Sequence, residues 1–241
     1  ISCSLVGSEM CIRDSFYIVR HGETAGNVSQ LIQGITNSQL NARGRKQALA
    51  LGRGLRASGL MIDRVVASDL LRAQETAQQI LLGMQVKLAI ETDKGLREEN
   101  DGVFEGRSLK DVSQEVFGVP DYHILVRSGK MPLEAIPDGI HAADATNQAE
   151  NTQQVVSRYD FAMRRIVTAA EAANETNVLV VSHGTASLLW LRAHGGDLPN
   201  RTELTNASVS KVTYDNGRFK VDWMDTVSYT HLRAHETAAN L

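Results

Sequence analysis

The sequence predicts an α/β protein of three layers (α/β/α), with a mostly parallel central sheet between two layers of helices. Three observations carry this reading. Short apolar runs alternate with longer stretches of helical periodicity, the pattern of a parallel sheet covered on both faces. The runs Phe16-Tyr17-Ile18-Val19 and Val178-Leu179-Val180-Val181 are apolar at every position, as strands buried on both faces require. Asp215-Asn216-Gly217 lies between two β-rich runs, a hairpin signal that adds at least one antiparallel strand.

In chain order, 16–19 is the first strand. Asn41 caps a helix over 42–57, with Ala48, Leu49, Leu51 and Leu55 at near-helical spacing. Residues 64–67 form a second strand, and a helix over 70–82 follows, capped by Ser68 or Asp69. Alternation predicts a third strand over 86–90. The fourth, 178–181, leads into a helix over 185–193 that Gly195-Gly196 stops. Residues 209–214 and 219–223 form the hairpin. Residues 107–149 break the alternation and hold all but one of the four prolines. They read as a lid-like insertion over the site, helical over 109–117 and loop elsewhere. A helix over 151–173 returns the chain to the core.

The two ends stand apart. Residues 1–15 and 226–240 encode each other on opposite DNA strands: a codon choice satisfies all fifteen pairs from Ile1 with Asn240 to Ser15 with Thr226, and fails at Phe16 with Asp225. They also look like translated sequencing-library adapter. We expect 1–15 and 226–241 to be non-native tails and 16–225 to be the domain proper. Both cysteines, Cys3 and Cys11, fall in the tails, so the domain has no disulfide, no Cys-ligated metal and no thiol nucleophile. His231 and His235 fall there too, so their spacing is not a metal signal. What remains has 23 basic and 25 acidic residues, a net charge of −2. That balance lacks the basic excess of nucleic-acid binders. No apolar run approaches the roughly 18 residues of a membrane span, and no signal peptide stands at Ser15-Phe16, so the expected location is cytoplasmic.

The chemistry is written at the strand ends. The first strand runs into Arg20-His21-Gly22-Glu23-Thr24, and the fourth into Ser182-His183-Gly184. Open α/β sheets bind ligands at the carboxyl ends of their strands. Two histidines and an arginine there suit an anion, phosphate first. His21 attacks only through a neutral ring nitrogen, with the other nitrogen held by a backbone carbonyl of the next turn; Gly22 lets that turn pass close. Arg20 supplies a bidentate fork. Arg72, one turn into the helix after the second strand, points back at the same edge, where the helix N-terminus adds positive charge. His183, protonated, binds phosphate and stabilises transition-state charge. The acid for the leaving oxygen is a carboxyl of the loop Leu96-Arg97-Glu98-Glu99-Asn100-Asp101-Gly102-Val103-Phe104-Glu105-Gly106.

These segments together resemble the histidine phosphatase superfamily, in its phosphoglycerate mutase-like branch. Arg20 to Thr24 with Asn27 is similar to the nucleophile motif. Ser68 to Thr76 resembles the second-arginine helix, Leu96-Arg97-Glu98 with Gly102 and Glu105-Gly106 the acid loop, and Ser182-His183-Gly184 the second-histidine motif. The resemblance implies a phosphohistidine on His21, Glu98 as proton donor and later base, and a phosphate pocket of Arg20, Asn27, Arg72 and His183, with no metal and no cofactor. Glu105 competes with Glu98 for the acid role.

The sequence departs from the mutase pattern. Gly26 stands where a Trp usually precedes the Asn, Phe104 replaces another common Trp, and Ala149-Glu150-Asn151-Thr152 replaces Gly-Gly-Glu-Ser. Glu99-Asn100-Asp101 lacks the bulky basic or aromatic character common in that loop. The expected function is a metal-independent phosphatase acting on a small phosphorylated molecule. A cofactor-dependent phosphoglycerate mutase and a non-catalytic phosphate-binding module are the alternatives. Tyr122, His123, Arg127, Lys130 and Met131 of the insertion are candidates to meet the leaving group, which the sequence does not name.

Overall fold

Alternate residues of the central strands pack into two separate cores. Phe16 and Ile18 of β1 (Asp14–Arg20) and Val178 and Val180 of β4 (Asn177–Ser182) belong to one core; Tyr17, Val19, Leu179 and Val181 belong to the other. A strand buried on both faces needs helices on both faces, and that fixes the three layers. The computed structural model describes residues 14–227. The expected tails lie almost wholly outside the described residues, with Cys3, Cys11, His231 and His235.

Between these strands come α1 (Ala25–Val28), α2 (Ala42–Ser58), β2 (Arg64–Ala67), α3 (Leu71–Met84) and β3 (Ile90–Thr92). Two 3₁₀ turns follow, Lys94–Leu96 and Gly102–Phe104, then α4 (Leu109–Phe117), α5 (Tyr122–Arg127), α6 (Ala135–Ala143) and α7 (Thr152–Ala173). After β4 come α8 (Thr185–Ala193) and the hairpin β5 (Val209–Asp215) and β6 (Arg218–Thr226). Among the described residues these strands make one six-stranded sheet in the order β3-β2-β4-β1-β5-β6. Only β5 runs against the others. The α2–α3 pair covers one face; α7, α8 and the insertion cover the other. Among the described residues no helix is long and apolar enough to cross a membrane.

Most expected elements stand within a residue or two of their places. Asn41 caps α2 by accepting from Gly44 N at 2.8 Å, and Asn216 and Gly217 both take positive φ in the hairpin turn. β1 starts two residues before the expected domain boundary and β6 ends one residue after it.

Three expectations are corrected. The ladder of β3 covers 90–92 rather than 86–90. Leu88 and Ile90 do pack on the core, so the alternation reports burial; pairing begins only where the four-residue β2 offers partners. Neither Ser68 nor Asp69 is the N-cap of α3; that position is Leu70. The Asp69 carboxylate is taken by Arg97, and Asn37 Oδ1 accepts from Leu71 N at 2.8 Å instead. The insertion carries α5 and α6 besides α4. Pro137 marks no break, because it sits in the first turn of α6, where its missing N–H has no intrahelical partner to lose.

Candidate active site

β1 and β4 are parallel neighbours with Arg20 opposite Ser182, so His21 and His183 leave the sheet side by side. Their ring centroids lie 5.2 Å apart. β2 ends beside β4, and α3 begins four residues later, which brings Arg72 back over the same edge. Arg72 Nε donates to His21 Nε2 at 3.2 Å.

The partners of His21 fix its tautomer. Nδ1 lies 2.7 Å from the Gly22 carbonyl, which only accepts, so Nδ1 carries the proton. Nε2 faces a guanidinium, which only donates, so Nε2 presents its lone pair. Burial drives the imidazole pKa well below its ordinary value, and Arg72 and Arg20 push it the same way; the Gly22 carbonyl opposes this without reversing it. The ring is neutral, the state a nucleophilic histidine needs. Its turn is locked to α3: Gly22 N donates to Thr76 Oγ1 at 3.0 Å, and Thr76 Oγ1 donates to Arg72 O at 2.6 Å. A Cβ on Gly22 would meet the Gly44 carbonyl oxygen at 2.5 Å, and backbone cannot move aside.

Arg72 is wholly buried and held from three more sides. Nη1 donates to Thr36 O at 2.7 Å, and Nη2 to Gly34 O at 2.7 Å and Gln33 O at 3.0 Å. Burial lowers its pKa to about 10, so it stays charged at neutral pH. Glu105 fastens the same loop, accepting from Ile35 N at 2.7 Å and Thr36 N at 3.1 Å. Glu105 is therefore a structural tie.

Arg20 donates through Nη1 to Leu204 O and pairs through Nη2 with Glu203 Oε2 at 2.9 Å; its Nε is buried without a partner. His183 is 0 % exposed, and neither ring nitrogen has a partner. An unmet buried polar group costs about 1–3 kcal/mol. Arg20 Nε and whichever His183 nitrogen carries the proton are two unmet donors, suited to an acceptor-rich ligand. Burial, then Arg72, His21, Arg158 and Arg20, push the His183 pKa well down, so the ring is neutral. The sequence reading took it as protonated. The dry, cation-rich surroundings account for the difference, and a bound dianion would pull the balance back.

Asn27 Oδ1 accepts from Thr24 N at 3.1 Å in a capping box, which leaves the amide NH₂ for a ligand. A cavity of about 290 Å³ opens here, lined by Arg20, His21, Asn27, Glu98, Glu99 and Asp101 among others. The insertion contributes Tyr122, His123 and Arg127 to its wall, but not Lys130 or Met131. Arg72 and His183 lie against His21 without lining the cavity themselves.

Glu98 is held at the N-terminus of α8. Its Oε2 accepts from Gly184 N at 2.9 Å and Thr185 N at 3.1 Å, and its Oε1 from Ala186 N at 2.6 Å. Burial raises its pKa, but the Glu99 carboxyl, these amides and Arg72 together hold it below the usual value. Glu99 and Asp101 have no such support, and burial beside other carboxyls pushes both well up.

The sequence missed what positions this loop. Arg158 of α7 donates to Gly95 O at 3.0 Å, Arg97 O at 2.8 Å and Glu98 O at 2.8 Å, and pairs with Glu150. Glu150 Oε2 accepts from Asn100 N at 3.0 Å. Asn151, next to Glu150, caps α7. Among the described residues no group of His, Cys, Asp and Glu is placed to hold a metal ion.

Comparison with known proteins identifies the family. Residues 16–226 match the Histidine phosphatase superfamily (branch 1). The chain belongs to that family. It is 30% identical over 204 residues to the broad-specificity phosphatase YOR283W of Saccharomyces cerevisiae, across 82% of this chain and 78% of that protein. It is 32% identical over 204 residues to a Cronobacter sakazakii protein named "Probable phosphoglycerate mutase GpmB", across 82% and 84%. The crystal structure of phosphoglycerate mutase from Bacillus anthracis superposes with a TM-score of 0.82 at 32% identity, over 93% of this chain and 98% of that one. The family's members thus include hydrolases and mutases on one fold, and the leaving-group side of the pocket has to distinguish them.

Proposed function

We propose that this histidine phosphatase superfamily member hydrolyses small phosphomonoesters through a phosphohistidine on His21. The observation that carries the reading is the state of His21, a residue of the cavity wall: neutral, with the proton on Nδ1 and Nε2 left as the acceptor, facing Arg72 Nε. Nε2 attacks phosphorus in line with the leaving oxygen. Arg20, Arg72, His183 and the Asn27 amide take up the charge on the transferring group. A carboxyl from the 96–106 loop protonates the leaving oxygen, and the resulting carboxylate then draws a proton from the water that cleaves the P–N bond. Both half-reactions use one phosphate position, so the product is inorganic phosphate.

Hydrolysis is favoured over mutase chemistry by the wall opposite His21. Glu98, Glu99 and Asp101 line it. A phosphoglycerate places its own carboxylate near its ester, and burying it beside the Glu98 carboxylate costs electrostatic energy. A cavity of about 290 Å³ is at the small end of ligand pockets, which fits a compact phosphorylated metabolite.

Rapid-quench labelling with a radiolabelled phosphomonoester tests the reading. Acid-labile label on the wild-type chain, absent from His21→Ala, is the expected result; label that survives His21→Ala overturns it. With 3-phosphoglycerate as substrate, free phosphate is expected, and the 2-phospho isomer would instead establish a mutase.

A further inference from the structure

Glu98 and Glu99 are adjacent in sequence, both buried and both in the wall of the same cavity, yet their surroundings are opposite. Three backbone N–H groups of the α8 N-terminus point at the Glu98 oxygens. That is the environment of a permanent carboxylate. A proton does not rest there, because three amide donors favour the charged form. Glu99 is 8 % exposed, and its Oε2 has no donor from the protein. Its carboxyl is buried beside that of Glu98 in the same wall, and the two influence each other's ionisation. Two neighbouring buried carboxyls resist ionising together in the resting site, and the one holding the amides keeps the charge. The shared proton therefore rests on Glu99.

We propose that Glu99 stores the proton that the reaction delivers to the leaving oxygen, passing it through Glu98. This rests on the phosphatase reading above. When His21 Nε2 bonds to phosphorus and the P–O ester bond breaks, the leaving oxygen takes the proton of the pair, which is left with two carboxylates. Water then attacks the phosphohistidine: one of its protons returns to the pair, its oxygen bonds to phosphorus, and the P–N bond breaks. The pair ends with the single proton it began with, and no outside acid or base enters. Arg72 of α3 steadies the doubly ionised pair. Asp101 of the same loop and Tyr122 of α5 are also electrostatic neighbours of Glu99, and burial pushes the pKa of both well up.

The test separates proton delivery from a merely structural role by its dependence on the leaving group. An alkoxide needs a proton to depart, whereas p-nitrophenolate does not. Rates of kcat/KM are measured against pH for glycerol 1-phosphate and p-nitrophenyl phosphate, with wild type and Glu99→Gln. The ratio of alkyl to aryl kcat/KM is expected to fall about 10²-fold in Glu99→Gln, within the usual range for loss of a general acid. The alkaline limb of the alkyl profile is expected to move to lower pH, because the remaining acid is Glu98 alone. An unchanged ratio, or a limb that stays in place, overturns the proposal. Where Glu99→Gln does not fold, infrared spectroscopy of Asp101→Asn at neutral pH reads the same point: a protonated-carboxyl carbonyl band supports the stored proton, and its absence refutes it. Failure of the parent reading looks different. Wild type then releases no phosphate from either ester, or its turnover survives His21→Ala, and the present proposal falls with it.

Discussion

Arg72 Nε and His21 Nε2 stand 3.2 Å apart, and only one of them can supply the hydrogen. The guanidinium donates, so the catalytic ring is fixed as an acceptor before any ligand arrives. Long-range ¹H–¹⁵N spectra are expected to find His21 as the Nδ1–H tautomer, with neither His21 nor His183 titrating between pH 6 and 8. An imidazolium at either position at pH 7 contradicts the account. Arg72→Met removes a charge that depresses the His21 pKa, so that pKa should rise while burial still keeps it below 6.5. The sign for stability follows. The unfolded chain takes up protons from its ordinary value of 6.5 downward, and the folded chain resists them, so acid unfolding should begin below that pH.

Arg158 reaches three carbonyls of the acid loop from a helix some sixty residues away in sequence. Its removal should loosen the loop and leave the phosphate donors in place. Arg158→Met is expected to lower stability by about 2–3 kcal/mol, as for a partly buried network losing one partner. It should cut kcat on alkyl esters at least tenfold while the inhibition constant of inorganic phosphate changes less than threefold. Equal losses in kcat and phosphate affinity would mean that Arg158 supports the whole pocket.

That residue also marks where the sequence stops being legible. His21, His183, Arg20 and Arg72 could be placed because each follows an apolar run or opens the helix after one, and strand order does the rest. Asp215-Asn216-Gly217 was readable because its turn needs positive φ at two positions. Arg158 recognises backbone carbonyls, which have no letter in the sequence, and its partner Glu150 resembles any helix-leading acid. Glu98 and Glu99 are the same residue type; only the packing of α8 against one of them assigns the charge. The helices α5 and α6 were hidden by prolines at helix ends and first turns, where they do no harm, and by Gly139, which lies inside α6 against the Phe117 ring.

Asp14 is a carboxyl at a core position. It shares the face of β1 that carries Phe16 and Ile18, is 5 % exposed, and feels Glu171 of α7. Burial, and then Glu171, raise its pKa. A carboxyl whose folded pKa is raised destabilises the fold above that pKa, and the loss is recovered as pH falls towards the unfolded value. Asp14→Asn should therefore raise Tm at pH 7 by roughly 2–4 °C, equivalent to about 1 kcal/mol. The gain should shrink at pH 4. A Tm that drops at pH 7 would mean that the charged carboxylate makes a favourable contact.

Glu203 holds the fork that phosphate needs. Its Oε2 lies 2.9 Å from Arg20 Nη2, and its side chain is 46 % exposed on the segment between α8 and β5. The guanidinium is buried and its partner lies at the solvent side, so a phosphate dianion has to displace this carboxylate, which competes for the guanidinium and repels the incoming charge. Glu203→Gln keeps the shape and removes both effects. KM for a simple phosphomonoester and the inhibition constant of inorganic phosphate should each fall roughly three- to tenfold, with kcat little altered. Added salt should narrow the difference, because Glu203 acts from the solvent side. A KM that rises in Glu203→Gln would reverse the assignment and make Glu203 a group that binds the leaving alcohol rather than one that guards Arg20.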